Sequence, residues 1–425
     1  MRNCAVVLPT GVVRAPLHIV GDRVAAMTPP GTPEIDLRDH LIFPGLVNAH
    51  DHLQLNNIPR LPQTTPFPNS YAWAAAMQPH LALPAVAAAR RVPAATRYRQ
   101  GGLKNLLCGA TTVAHHDPWH PVLDEPEFPV NLLRRFGWCH SLGLAPANEG
   151  ADSRAWLSLA REAGKILRAL VTKDSRKTEP PPRSRLGPYG PAARSSFAAT
   201  PGDSPWMIHL AEGTDRESSE ELDRLERMGC LAPNTVLIHA VGLHAGDVAK
   251  VIERGAAVVW CPASNLALLN ATLDPRPFFE AGRLAIGTDS RLSGSRDLLA
   301  ELRVASIHCS LTAADIVQVA TVGGSRVLDL PDVGGLAPGQ RADLIVTRDT
   351  GGDPYRALLA LERADLRAVV LGGAPAIADG DFADWCRACD VVTVPVSLDG
   401  RPKILARSRA ADDAIALEPG LELRV

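Results

Sequence analysis

No segment of this 425-residue chain approaches the roughly 18 uninterrupted apolar residues that a membrane-crossing helix needs. An evident membrane span is therefore excluded. Blocks of like charge are also missing: 44 basic residues nearly cancel 46 acidic ones, so nothing advertises nucleic acid or an anionic membrane as a partner. A small-molecule substrate fits better. The eight cysteines have no framework spacing, and the opening "MRNCAVVLPTGVV" lacks the charged and then continuously apolar pattern of an export signal. Free thiols in a reducing cytoplasm are expected. A homo-oligomer is compatible with the sequence, which does not specify one.

What is present is an alternation. "WMIHLAEG" (206 to 213), "TVLIHAVG" (235 to 242), "AAVVWCPAS" (256 to 264) and "RLAIGTDS" (283 to 290) are short apolar runs that end in polar residues or glycine. They read as buried parallel strands. Between them "DRESSEELDRLERMG" has acids early and arginines late, and "SRDLLAELRVASIH" repeats apolar residues at helical steps. "LIFPGLVNAH" and "GATTVAHHD" are two earlier strand candidates, and "GWCHSLGLA" is a weaker third. Repeated strand and helix predict an α/β fold whose closed form is the (β/α)8 TIM-like barrel.

The two ends differ in texture. Residues 1–42 and 335–425 carry short strand-like pieces broken by Gly, Pro and Asp, including Asp399-Gly400 as a hairpin signal. We read them as one small β domain built from both termini, with the barrel at 43–334 inserted between. Within it, "VTKDSRKTEPPPRSRLGPYGP" (171 to 191) reads as an exposed loop or disordered insertion, because three consecutive prolines among charges suit neither a helix nor a central strand. "KILRALVT" (165 to 172) is the candidate for a fourth barrel strand.

Barrel enzymes place their chemistry at the C-terminal ends of the strands. The polar residues collected there are His50, His52, His115, His116, His209, Glu212, His239 and Asp289. Alternate strand residues share a face, so His50 and His52 both aim into the barrel mouth while Asp51 points away. With His209 and Asp289 they offer nitrogen and oxygen donors that suit Zn²⁺, Fe²⁺ or Mn²⁺. Each residue alone has a plainer reading: His209 as a core histidine, Asp289 as a helix cap, Glu212 as a helix-start acid. Their coincidence on several strand ends favours one shared site. His115, His116 and His120 crowd the second strand's end, and substrate contact is the reading taken for His115 and His116, with a second ion or loop polarity as alternatives. "CRAC" (386 to 389) has redox or zinc spacing but no second pair, and Cys261 reads as packed rather than nucleophilic.

These pieces carry a resemblance. "FPGLVNAHDHL", "GATTVAHHD", "IHLAEG", "LIHAVGL", "WCPASNLAL", "AIGTDS", "ATVGGSRVL" and "GGLAPGQRADLIV" stand in the order found in the amidohydrolase superfamily, in the branch of cytosine, guanine and adenosine-derivative deaminases and triazine chlorohydrolases. The resemblance implies that His50, His52, His209 and Asp289 bind one divalent ion, zinc by preference. It further implies that Glu212 shuttles protons and that His239 orients or polarises water and substrate. No family motif is found between residues 143 and 205.

The expected chemistry follows from charge. A divalent ion lowers the pKa of bound water toward neutrality, so hydroxide becomes available to attack a ring carbon that bears an amine. Glu212, three residues after a ligand, is placed to take the proton and pass it to the leaving group, with Asp289 as ligand and base. Deamination of a nitrogen heterocycle or related small amine is the leading expectation. Amide hydrolysis or dechlorination at the same site is the alternative, and a catalytically silent ligand-binding relative is a third.

Overall fold

The computed structural model describes residues 1–143 and 191–424. The candidate strand at 165–172 and nearly all of the proline-rich stretch at 171–191 lie outside the described residues.

Both ends of the chain contribute to one nine-stranded sheet. Its order is Leu421–Leu423, Thr393–Leu398, Arg401–Ala406, Ala374–Ala378, Ala368–Leu371, Leu344–Arg348, His40–Pro44, Ala5–Leu8 and Gly11–Val13. The N- and C-terminal parts join where His40–Pro44 runs antiparallel to Leu344–Arg348, with Ile42 opposite Val346 and Phe43 opposite Ile345. Ile42, Leu344, Val346 and Val370 pack on one face, and Phe43, Ile345 and Val369 enter the larger core on the other. This two-residue period lets both faces of the central strands exclude water. Asp399 and Gly400 form the expected tight hairpin turn, with φ of 49° and 82° and Leu398 paired to Arg401.

"LIFPGLVNAH" is two strands rather than one. The chain leaves the terminal sheet after Pro44 and enters the barrel at Leu46, with Gly45 between. The barrel strands are β1 (Leu46–Asp51), β2 (Ala110–His115), β3 (Asn131–Leu132), β4 (Gly137–Ser141), β5 (Trp206–Leu210), β6 (Thr235–His239), β7 (Ala257–Trp260) and β8 (Leu284–Ile286). β1 to β3 form one parallel sheet and β4 to β8 another. Beyond β8 the chain closes on β1: Asp289 N–H donates to the His50 carbonyl at 3.1 Å, and Thr288 N–H to Asn48 Oδ1 at 3.0 Å. At the other seam only residues 133–136 separate β3 from β4, so no helix intervenes. That lapse in the strand and helix rhythm is why "GWCHSLGLA" gave a weak signal.

Between β2 and β3 stands only the 3-10 turn Pro121–Asp124, and beyond β5 the rhythm holds. Arg216–Ser219 and Glu221–Arg227 follow β5, and Leu298–Ile307 follows β8 with Asp297 as its N-cap, the carboxylate accepting from Ala300 N–H. Among the described residues no helix is long and apolar enough to cross a membrane.

The closing seam depends on a missing side chain. A Cβ on Gly287 would stand 2.6 Å from His50 Cβ and 2.8 Å from its backbone nitrogen. Gly287→Ala should therefore push β8 off β1 and cost about 1–3 kcal/mol, the range for overpacking. Gly202→Ala, which meets nothing within 4 Å, should leave the melting temperature unchanged. Thermal unfolding of both variants checks this, and equal melting temperatures would remove the seam from the account.

Candidate metal and active site

Four non-glycine residues at or just beyond barrel strand ends hold positive φ: Ala211 (53°), His239 (72°), Ala240 (53°) and Asp289 (52°). Left-handed backbone is disfavoured for L residues and concentrates where side chains must be aimed. Here it turns the chain sharply at the barrel mouth. Six histidines converge there: His50, His52, His116, His140, His209 and His239, with ring centroids 4.5–6.5 Å from their neighbours.

The donor atoms are set by what holds the opposite side of each ring. His209 Nδ1–H donates to the His140 carbonyl at 2.7 Å, which leaves Nε2 as a lone pair, 3.2 Å from His50 Nε2. His52 Nδ1–H donates to Asp117 Oδ2 at 2.6 Å, and its Nε2 lies 3.6 Å from Asp289 Oδ1. His50 Nε2 is 3.9 Å from the same oxygen. Asp289 Oδ2 accepts from the Ser264 and Ser293 hydroxyls at 2.8 and 2.6 Å; Oδ1 accepts from Ser290 N–H at 2.7 Å and is the oxygen nearest the His50 and His52 rings.

Nitrogens and a carboxylate oxygen that crowd one buried point call for a cation, and the carboxylate–histidine support behind them is typical of ion ligands. His50, His52 and Asp289 form one group whose donor atoms all lie within 4.8 Å of one another; His50, His116 and His209 form a second. The residues present thus fit a divalent ion. Burial, and then the neighbouring imidazoles, hold His50 and His209 well below the usual histidine range. For His52 burial opposes the charged ring, but Asp117 outweighs it and carries the group up to about 9.

Glu212 faces the same space, with Oε1 3.5 Å from His239 Nε2. Burial raises its carboxyl above the ordinary range. His239 Nδ1–H donates to Asn265 Oδ1 at 2.8 Å and fixes the ring. The plainer readings of these acids do not match the local structure: the helix after Glu212 is capped by Asp215 and the one after Asp289 by Asp297. His52, His140, His209, Glu212, His239 and Asp289, together with Leu55, Ser70, Trp73, Ala74, Leu268, Ser290, Leu292 and Ser293, line a cavity of about 40 Å³. None of the described residues lining it is a lysine or arginine.

Neither His115, the last residue of β2, nor His116, the next, is among the lining residues. His115 accepts from Leu53 N–H at 3.4 Å and lies edge-on to Tyr98; His116 stacks on His209 at 4.5 Å. His140 lines the cavity, and sequence reasoning did not single it out although it stands at the end of a candidate strand. Asp117, next to the paired histidines, was also passed over. Cys261 is fully buried, and burial raises its thiol well above the usual range; Cys386 and Cys389 are free.

Behind the site lies a buried polar cluster that no sequence pattern flagged. Lys104 Nζ donates to Asp51 Oδ2 and Thr288 Oγ1, each at 3.0 Å, and all three groups are fully buried. Asn105 and Asn56 also donate to Asp51, at 2.7 and 2.9 Å. One ammonium therefore ties the residue between His50 and His52 to the residue before Asp289. Lys104→Met would leave Asp51 buried and unpaired, at a cost of about 3–5 kcal/mol. The double variant Lys104→Met/Asp51→Asn removes both charges and should recover most of that loss. Denaturant unfolding of the two checks the point; equal losses would mean that the pair is not what the strands depend on.

A second carboxylate supports Glu212. Glu221 Oε2 accepts from Ala211 N–H at 2.6 Å, and the Tyr71 hydroxyl donates to its other oxygen. Burial pushes Glu221 up to about 7 from an ordinary 4.5. Between those values the folded chain keeps a proton that the unfolded chain has lost, so this group lowers stability as pH rises from 4.5 to about 7. Glu221→Gln lacks that dependence, so its melting temperature should gain on the parent's across this window. Parallel melting curves against pH would contradict the assignment.

The sequence model of the amidohydrolase family matches residues 196–388. Over 339 residues the chain is 30% identical to a 5-methylthioadenosine/S-adenosylhomocysteine deaminase of Halobacterium salinarum, an alignment that covers 75% of each protein. It is 27% identical over 400 residues to an 8-oxoguanine deaminase of Pseudomonas aeruginosa, covering 83% of this chain and 85% of that one. A crystal structure of an adenosine deaminase from Xanthomonas campestris with bound zinc superposes with a TM-score of 0.64 at 20% identity, over 92% of this chain and 97% of the other.

Proposed function

The chain belongs to the amidohydrolase family and is a deaminase-type hydrolase of carbon–nitrogen bonds; from that premise we propose that it removes an exocyclic amine from a neutral nitrogen heterocycle, using one zinc ion. His50, His52, His209 and Asp289 hold the ion in this reading, and Glu212 moves the proton. Three imidazoles and one carboxylate match the preferences of zinc, although Fe²⁺ or Mn²⁺ would also accept them. The deaminases to which the chain is similar are named for substituted adenosines and 8-oxoguanine, which supports an amine-bearing ring as the substrate class.

The observation that carries the reading is Glu212. Its carboxylate stands in the cavity beside the donor cluster, with Oε1 3.5 Å from His239 Nε2, and caps no helix. A divalent ion in this donor set supplies the Lewis acidity that makes water a nucleophile near neutral pH. Glu212 accepts the proton released as the new carbon–oxygen bond forms and returns it to the nitrogen, which leaves as ammonia when the carbon–nitrogen bond breaks. His239, held by Asn265, faces Glu212 and the charge that develops on the ring. Trp73, Leu55, Leu268 and Leu292 offer apolar walls for a flat ring, and the lack of a lysine or arginine among the described lining residues suits one without an anionic group. A reducing cytoplasm would keep the eight free thiols as they are.

Ammonia release from a panel of amino-substituted purines, pyrimidines and triazines tests the reaction, alongside elemental analysis of protein purified without added metal. Glu212→Gln should retain the ion and the fold while turnover falls by about two to four orders of magnitude. Near-normal turnover in that variant would place the proton shuttle elsewhere. No ammonia from any ring, with the ion bound, would favour a silent ligand-binding relative.

A further inference from the structure

Among the described residues, His116 and His140 are the histidines of the mouth cluster to which the four-ligand reading gives no role, and of the two it is His116 that falls in a donor group with His50 and His209. The Cys139 carbonyl can only accept, so the 3.2 Å contact from His116 Nε2 makes that nitrogen the N–H. Nδ1 of the neutral ring then carries a lone pair. It has no hydrogen-bond partner among the described residues, and the residue is fully buried. A buried acceptor without a donor is costly unless something electropositive faces it. His115, the neighbouring histidine, differs in which nitrogen is left over: its Nδ1 accepts from Leu53 N–H, so the ring nitrogen without a partner is the Nε2–H, which has no lone pair for a cation.

No hydrogen-bond donor among the described residues reaches His116 Nδ1, and a bound ion would supply the electropositive group. A ring nitrogen of His116 belongs to the group with His50 and His209 in which all donor atoms lie within 4.8 Å of one another, and that group shares His50 with the His52 and Asp289 set. Its ring stacks on His209 with centroids 4.5 Å apart and planes 9° apart, and lies edge-on to His50 at 5.2 Å. We propose that His116 is a fifth donor to the ion, giving a set of four imidazoles and one carboxylate from His50, His52, His116, His209 and Asp289. The inference rests on the metal reading above. Its consequence is that the ion sits in a more crowded, nitrogen-rich set than a four-ligand site, and that the second strand takes part in holding it.

The test uses cobalt(II) as the probe, titrated into chelator-treated full-length protein, with affinity measured by competition and coordination by visible absorption. His116→Gln keeps an N–H for the Cys139 carbonyl but has no nitrogen in place of Nδ1. It should bind cobalt about 10–100-fold more weakly, the scale on which support of a metal site is lost. Its absorption bands should intensify as the ion moves from five donors to four. His116→Asn, which returns an oxygen near the Nδ1 position, should recover part of the affinity, and this variant decides the matter if the Gln protein does not fold. His115→Gln should bind cobalt as the parent does. Parent-like affinity and spectrum in His116→Gln overturn the fifth donor alone. Failure of the parent protein to bind cobalt or zinc overturns the metal reading and this inference together.

Discussion

The ammonium of Lys104 constrains everything at the barrel mouth. It lies at zero exposure between Asp51 and Thr288, 3.0 Å from each, and so fastens β1 to the segment after β8 beneath the donor atoms. A lysine is rarely sealed away from water, and this one is tolerable because Asp51 offers a full opposite charge whose remaining capacity is filled by asparagine amides. The geometry that results is directional. With Asp51 held behind the sheet, His50 and His52 are turned to the front, and with Thr288 held, Asp289 turns to meet them.

A second rule runs through the site: one side of each key group is committed so that the other is available. His52 gives its Nδ1 proton to Asp117, His209 to a backbone carbonyl and His239 to Asn265. Asp289 gives one oxygen to two serine hydroxyls, and the other accepts from one backbone N–H while facing the histidines. What remains facing the cavity is a set of acceptors with few donors among them, beside a carboxyl that burial has made more basic. In the proposed reading such a set surrounds a cation, and Glu212 carries the protons.

Much of this was legible in the sequence because it rests on short, local patterns. The H-x-H pair at the end of an apolar run, His209 and Asp289 at other strand ends, and the Asp399-Gly400 turn each follow from strand periodicity or turn chemistry. The strand at "GWCHSLGLA" was faint because no helix separates it from β3, and His140 stayed hidden with it. Lys104 was unreadable for a different reason. A lysine on an amphipathic helix is ordinarily a solvated charge, and only the tertiary approach of helix Ala94–Leu107 to β1 buries it. Asp117 and Glu221 were missed on the same ground, since their partners are distant in the chain or defined by backbone atoms at bends.

The central claim is that these side chains exist to hold one ion at the barrel mouth. Anomalous diffraction at the zinc edge from crystals of zinc-loaded protein tests it most directly. The account predicts a single strong peak bounded by the Nε2 atoms of His50, His52 and His209 and by Oδ1 of Asp289. A peak at another place in the fold, or none at this one in a crystal whose zinc content has been verified, would contradict it.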